Sequence, residues 1–69
     1  MKHSVNVKFL GKEDSFLFSE TFFDGTVDDA VYVFHAFICG AEYWRKVAGD
    51  RDVRMELLCN GEVVEEDTL

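Results

Sequence analysis

An α+β domain with the element order β-β-α-β-β is predicted by three features of the sequence. Two segments, Ser4–Leu10 and Asp52–Cys59, alternate apolar and polar residues with the period of a half-buried strand. One segment, from Val27 to about Ala48, repeats its apolar residues at helical spacing. Asn60-Gly61 is a strong hairpin signal between two strand-like runs, because both residues tolerate positive φ.

The elements follow in order. In the first strand Val5, Val7 and Phe9 share one face, and Asn6 and Lys8 the other. Gly11-Lys12-Glu13-Asp14 is a polar turn, and Ser15–Phe23 is a second strand with Phe16 and Phe18 alternating against Leu17 and Ser19. A four-residue turn pairs Phe9 with Phe16 and Val7 with Phe18, so the two apolar faces coincide. Asp24-Gly25 ends that strand. Thr26 suits a helix N-cap, with Asp29 three residues on as a capping-box partner, and Asp28 and Asp29 suit the positive end of the helix dipole. Arg45 and Lys46 complement the other end, and Gly49 stops the helix. Its core stripe is expected to be Val27, Val31, Phe34, Ile38, Ala41 and Trp44 or Arg45. The third strand sets Val53, Met55, Leu57 and Cys59 against Arg54, Glu56 and Leu58. A two-residue turn then pairs Leu58 with Val63 and Leu57 with Val64, and the fourth strand, Glu62–Glu66, is short and acidic. One helix on a four-stranded, mostly antiparallel sheet is the result.

Sixty-nine residues make a single domain, 1–69, with a modest core and a few kcal/mol of stability. With 48% hydrophobic and 14% aromatic residues it is too apolar for a disordered tail. Seven basic and 14 acidic residues leave a formal charge of −7. That excludes ordinary binding to nucleic acid or an anionic membrane, which need a basic surface. It favours solubility, a basic protein partner, or imitation of a polyanion. No run of about 18 apolar residues suggests a membrane span, and the first residues lack the apolar stretch of a secretion signal. Cys39 lies mid-helix and Cys59 at a strand end, which with no such signal points to a reduced pair and a cytoplasmic protein.

Catalytic and metal chemistry find little support. His35 and Cys39 are four apart on one helix face, where a thiolate–imidazole pair could act as a nucleophile or half a metal site. No third orienting residue accompanies them. A zinc site would need His3, His35, Cys39 and Cys59 to converge, and their spacings match no ligand pattern. Asp28-Asp29 and Glu65-Glu66 read as surface acids, and phosphate-loop glycines are absent. No catalytic residue, metal or cofactor is expected, and the chain is read as a non-enzyme.

Two surfaces are candidates for binding. Ala30–Ala41 reads A-V-Y-V-F-H-A-F-I-C-G-A, with little wet face over three turns. Val31, Phe34 and Ile38 account for the core, which leaves Tyr32, Phe37, Cys39 and Tyr43, with Val33, for a partner, for a homodimer contact, or for burial under loops and strand edges. The topology also gathers Asp24, Asp28, Asp29 and Glu62 at one end, with only Lys2 and His3 nearby. At the other end Glu13, Asp14, Asp50, Asp52, Glu66 and Asp67 mix with Lys12, Arg45, Lys46 and Arg51. The acidic end can serve the helix dipole and solubility, or present an anionic patch to a nucleic-acid-binding groove.

Val5-Asn6-Val7-Lys8-Phe9-Leu10-Gly11-Lys12 resembles the opening strand and turn of the β-grasp, ubiquitin-like proteins. The stretch from Leu57 to Leu69, through Asn60-Gly61 to Asp67-Thr68-Leu69, resembles their third and fourth strands. That resemblance implies a protein-interaction module or adaptor. In those families a further central strand ends in Gly-Gly, and no such tail follows Leu69, so carrier chemistry is not implied. In length and charge the chain also resembles small phage-encoded anti-defence proteins, including anti-CRISPR inhibitors that mimic nucleic acid. That second resemblance implies an inhibitor of a basic, nucleic-acid-handling protein, acting in the host-cell cytoplasm if phage-encoded.

Overall fold

The computed structural model describes residues 2–69. In chain order the elements are β1 (Lys2–Leu10), β2 (Ser15–Asp24), α1 (Val27–Cys39), α2 (Ala41–Ala48), β3 (Asp52–Cys59) and β4 (Glu62–Thr68). The strands form one sheet in the order β2-β1-β3-β4, antiparallel at every step. The expected β-β-α-β-β order holds, but the helical segment is two helices.

β1 and β3 are the spine. Their register sets Val5 opposite Leu57, Val7 opposite Met55 and Phe9 opposite Val53. All six side chains lie on the face beneath the helices and are buried, with Ala30 and Phe34 of α1 closing over them. Burying each large apolar side chain contributes about 1.5–3 kcal/mol, so this row supplies most of the core.

The hairpins carry one irregularity each. Phe9 pairs with Phe16 as expected, but Phe18 is an extra residue in β2, and Val7 faces Ser19 instead. Phe18 keeps an inward heading, stacking on Phe9 at 4.4 Å between ring centroids. In the second hairpin Leu58 pairs with Val63 as expected, but Val64 is extra and Leu57 faces Glu65. Asn60 and Gly61 have φ of 53° and 85°, the conformation that a tight two-residue hairpin requires.

Thr26 caps α1 as the sequence predicts. Its hydroxyl accepts from the Asp29 amide at 3.1 Å, and the Asp29 carboxylate accepts from the Thr26 amide at 3.1 Å. The helix does not continue to Ala48. It closes at Gly40, whose amide donates to the Phe37 carbonyl at 3.0 Å, a three-residue bond that tightens the last turn. α2 restarts there and ends at Gly49, where φ is 69°. The break lets Trp44 lie parallel to Phe37, 6.0 Å between centroids, and edge-on to Phe18. It also shifts the core stripe. Ala30 and Phe34 are buried, Val31, Ile38 and Trp44 half-buried, and Val27, at 47% exposure, lies outside the core to which its spacing assigned it.

Phe34 is the one large α1 side chain that is fully inside. Phe34→Ala should destabilise the domain by about 3–5 kcal/mol, enough to leave it largely unfolded. A thermal melt that barely moves would show that the helices are held by something other than this contact.

Candidate functional site

With one helical layer, the second face of the sheet stays open. Cross-strand register orders it into rows. Phe22, Ser4, Leu58 and Val63 form an apolar row, Glu20, Asn6, Glu56 and Glu66 the next, and Leu17, Lys8, Arg54 and Thr68 the third. The second and third rows are stitched together by charge. Glu56 accepts from Lys8 at 2.8 Å and from Arg54 at 3.4 Å, and Arg54 also bonds Glu66. Lys8, followed by Arg54, holds the Glu56 carboxyl below the ordinary carboxylate range, against a burial that pushes it up. Glu20 has no ion-pair partner among the described residues. The Asn6 side-chain oxygen is buried without a hydrogen bond. A groove of about 510 Å³ lies at the apolar end of this face, between Ser4, Glu20, Phe22, Leu58 and Asn60, with Lys2 on its lining.

The four carboxylates expected at one end lie there, but not as a tight cluster. Asp24 pairs with Lys2 on β1, and Glu62 pairs with Cys59 on β3. They therefore sit on opposite edges, about three strand spacings or ~14 Å apart. Asp28 and Asp29 stand in the first turn of α1. Asp29 is committed to the cap, while Asp24, Asp28 and Glu62 are exposed and outside the ion pairs of the described residues. At the opposite end Arg51 bonds Asp14 at 3.3 Å and lies over the Phe16 ring at 5.0 Å, as the mixed charge there suggested.

The helix face divides. Tyr32 is 78% exposed, Tyr43 62%, and Cys39 is exposed. Phe37 does not join them, because it packs against the core and stacks on Trp44, and Val33 is likewise half-buried against the core. His35 and Cys39 are both exposed, with no hydrogen bond between them.

A different imidazole–thiol pair is present. His3 and Cys59 are register partners on β1 and β3, and His3 Nδ1 lies 3.1 Å from the Cys59 sulfur. His3 Nε2 lies 2.9 Å from the Gly25 carbonyl oxygen. A carbonyl only accepts, so Nε2 carries the hydrogen and Nδ1 is free to accept from the thiol. The pair is capped by Phe23 and buried, His3 to 1% exposure. It ties the helix-entry loop to the sheet. Neither cysteine is in a disulfide, and no three metal-ligating side chains converge among the described residues. Spacing alone could not find this pair, because it depends on β1 lying beside β3.

No protein-family model, curated protein or solved structure matches this chain.

The Glu56 network has a pH signature. The unfolded chain binds the Glu56 proton more tightly than the folded one, so its contribution is complete above the ordinary carboxylate range near 4.3 and is lost as pH falls through the depressed folded value. Glu56→Gln should lower stability by about 1 kcal/mol at neutral pH, a figure already reduced for solvent around Lys8 and Arg54. The gap between variant and wild type should close on acidification, as followed by chemical unfolding across pH. A gap independent of pH would mean that the charge on Glu56 contributes nothing.

Proposed function

We propose that this protein is a non-enzymatic binding protein that occupies a basic, nucleic-acid-handling partner in the cytoplasm, in the manner of anti-defence inhibitors that imitate nucleic acid. The observation that carries this reading is the disposition of carboxylates. The ion pairs of the described residues engage Asp14, Glu56 and Glu66, while Asp24, Asp28, Glu62, Glu65 and Asp67 are exposed outside them. In β4 successive side chains alternate faces, so Glu65 and Asp67 share one side of the strand ~6.6 Å apart, while Glu66 lies on the other, bonded to Arg54. The patch Asp24, Asp28, Asp29 and Glu62 extends this charge around one end of the sheet.

A second reading, a ubiquitin-like interaction module, is favoured by the exposed Tyr32 and Tyr43, since tyrosine anchors many interfaces. That module would use the helical layer. It could not use the further central strand of the β-grasp proteins, because β1 and β3 already pair over eight positions at the centre of this sheet.

Capture from nuclease-treated host lysate on immobilised protein separates the readings. The retained partner should be released by duplex DNA and by raised salt, as expected for charge-steered binding. A variant carrying Asp24→Asn, Asp28→Asn, Asp29→Asn and Glu62→Gln should bind that partner at least about tenfold more weakly. Its fold should survive, with a small loss at the helix N-terminus. A partner that resists both DNA and salt, and binds the quadruple variant normally, would overturn the proposal in favour of the helix face.

A further inference from the structure

The two edges of the sheet are built differently. β4, one edge, is exposed throughout and carries Glu62, Glu65, Glu66 and Asp67 in seven residues. Charges of this density along an edge discourage another strand from adding to it. β2, the other edge, has ten residues with no lysine, arginine or proline, and Glu20 is its only charge before Asp24 at the end. Phe16, Leu17, Phe18 and Phe22 along it are each 44–61% exposed. Such an edge offers free backbone donors and acceptors framed by apolar side chains, which is the usual invitation to a further strand.

We propose that β2 pairs antiparallel with β2 of a second copy, joining two four-stranded sheets into one of eight strands. Two arguments select β2 of the second copy, and not its β4 edge, as the occupant. Addition of β2 to the β4 edge of another copy would build an open filament, and the four carboxylates of β4 oppose it. That leaves β2 on β2, which closes on itself about a two-fold axis. In a chain of charge −7, β2 is also the edge where two copies meet with less repulsion.

The register follows from the alternation of side chains. Ser19–Asp24 pairs with β1 without interruption, so this segment is a regular strand beyond the Phe18 bulge. Residues that face each other across a two-fold must lie on the same side of the sheet, which places a residue and not a gap on the axis. An axis at Phe22 would set Glu20 against Asp24 of the other copy, two carboxylates in direct opposition. An axis at Thr21 sets Glu20 against Phe22 and Ser19 against Phe23, and Thr21 against itself. The geometry therefore points to Thr21 on the axis.

Sedimentation of the full chain from micromolar to millimolar concentration should show a monomer–dimer equilibrium. Thr21→Cys, combined with Cys39→Ser, should form an intermolecular disulfide rapidly on mild oxidation, since residues facing each other across paired strands lie within disulfide reach. Lys12→Cys in the same background, in the exposed turn, should not. Phe22→Glu should weaken the dimer by about a hundredfold, by loss of the phenyl group and opposition to Glu20, and leave the monomer's circular dichroism and melting unchanged. A wild type that stays monomeric at millimolar concentration overturns the proposal. So does a dimer indifferent to Phe22→Glu and lost instead in Tyr32→Ala with Tyr43→Ala, or a Thr21→Cys variant that crosslinks no faster than Lys12→Cys.

Discussion

One helical layer for four strands is the constraint from which the rest of this structure follows. Among the described residues, α1 and α2 cover one face of the sheet. The contact that uses this cover best is β1 against β3, where six apolar side chains in register meet Ala30 and Phe34. Both strands are central, so both have their backbone hydrogen bonds satisfied by neighbours on each side. β2 and β4 flank this spine and contribute little to the buried core. A domain of this size has only a few kcal/mol in hand, and a spine concentrated on two strands suits that scale.

The uncovered face then has to be made compatible with water. Lys8, Arg54, Glu56 and Glu66 achieve this at the centre by pairing opposite charges across β1, β3 and β4. The pairs sit where solvent still reaches Lys8 and Arg54, so each is modest in energy, and their joint effect is to set register and discourage stacking of a second sheet. The surplus of acids is thereby pushed outward, to β4 and to the two sides of the helix N-terminus. The edges inherit opposite characters from the same logic, β4 charged and β2 apolar.

Much of this fold is legible in the sequence. Two-residue alternation in Ser4–Leu10 and Asp52–Cys59 marks the strands that became the spine, and Asn60-Gly61 forms the turn its φ preferences require. Thr26 and Asp29 cap α1 as their spacing implies, because that motif depends on neighbours in the chain alone. The features that escaped are those set by neighbours distant in sequence or by a single inserted residue. Phe18 and Val64 are extra residues that each shift a hairpin register, and alternation on either side looks the same with or without them. Gly40 is tolerable inside a continuous helix, and only the stacking of Trp44 on Phe37 distinguishes a break from a weak point. The His3–Cys59 pair depends on β1 lying beside β3, which no local pattern specifies, whereas the four-residue spacing of His35 and Cys39 is visible in the chain itself. Of the candidate surface residues, Tyr32, Cys39 and Tyr43 are exposed and Phe37 is not, because Phe37 packs on the core and stacks on Trp44 across the break at Gly40.

Residue-resolved hydrogen exchange under native conditions addresses the spine most directly. If β1 and β3 hold the domain together, their paired amides exchange only through global unfolding, with a free energy equal to that from denaturant melts. The amides of β4, exposed along its whole length, then exchange through local opening at distinctly lower free energy. Amides of β4 as slow as those of β1, or β1 amides that open locally, would contradict an architecture centred on these two strands.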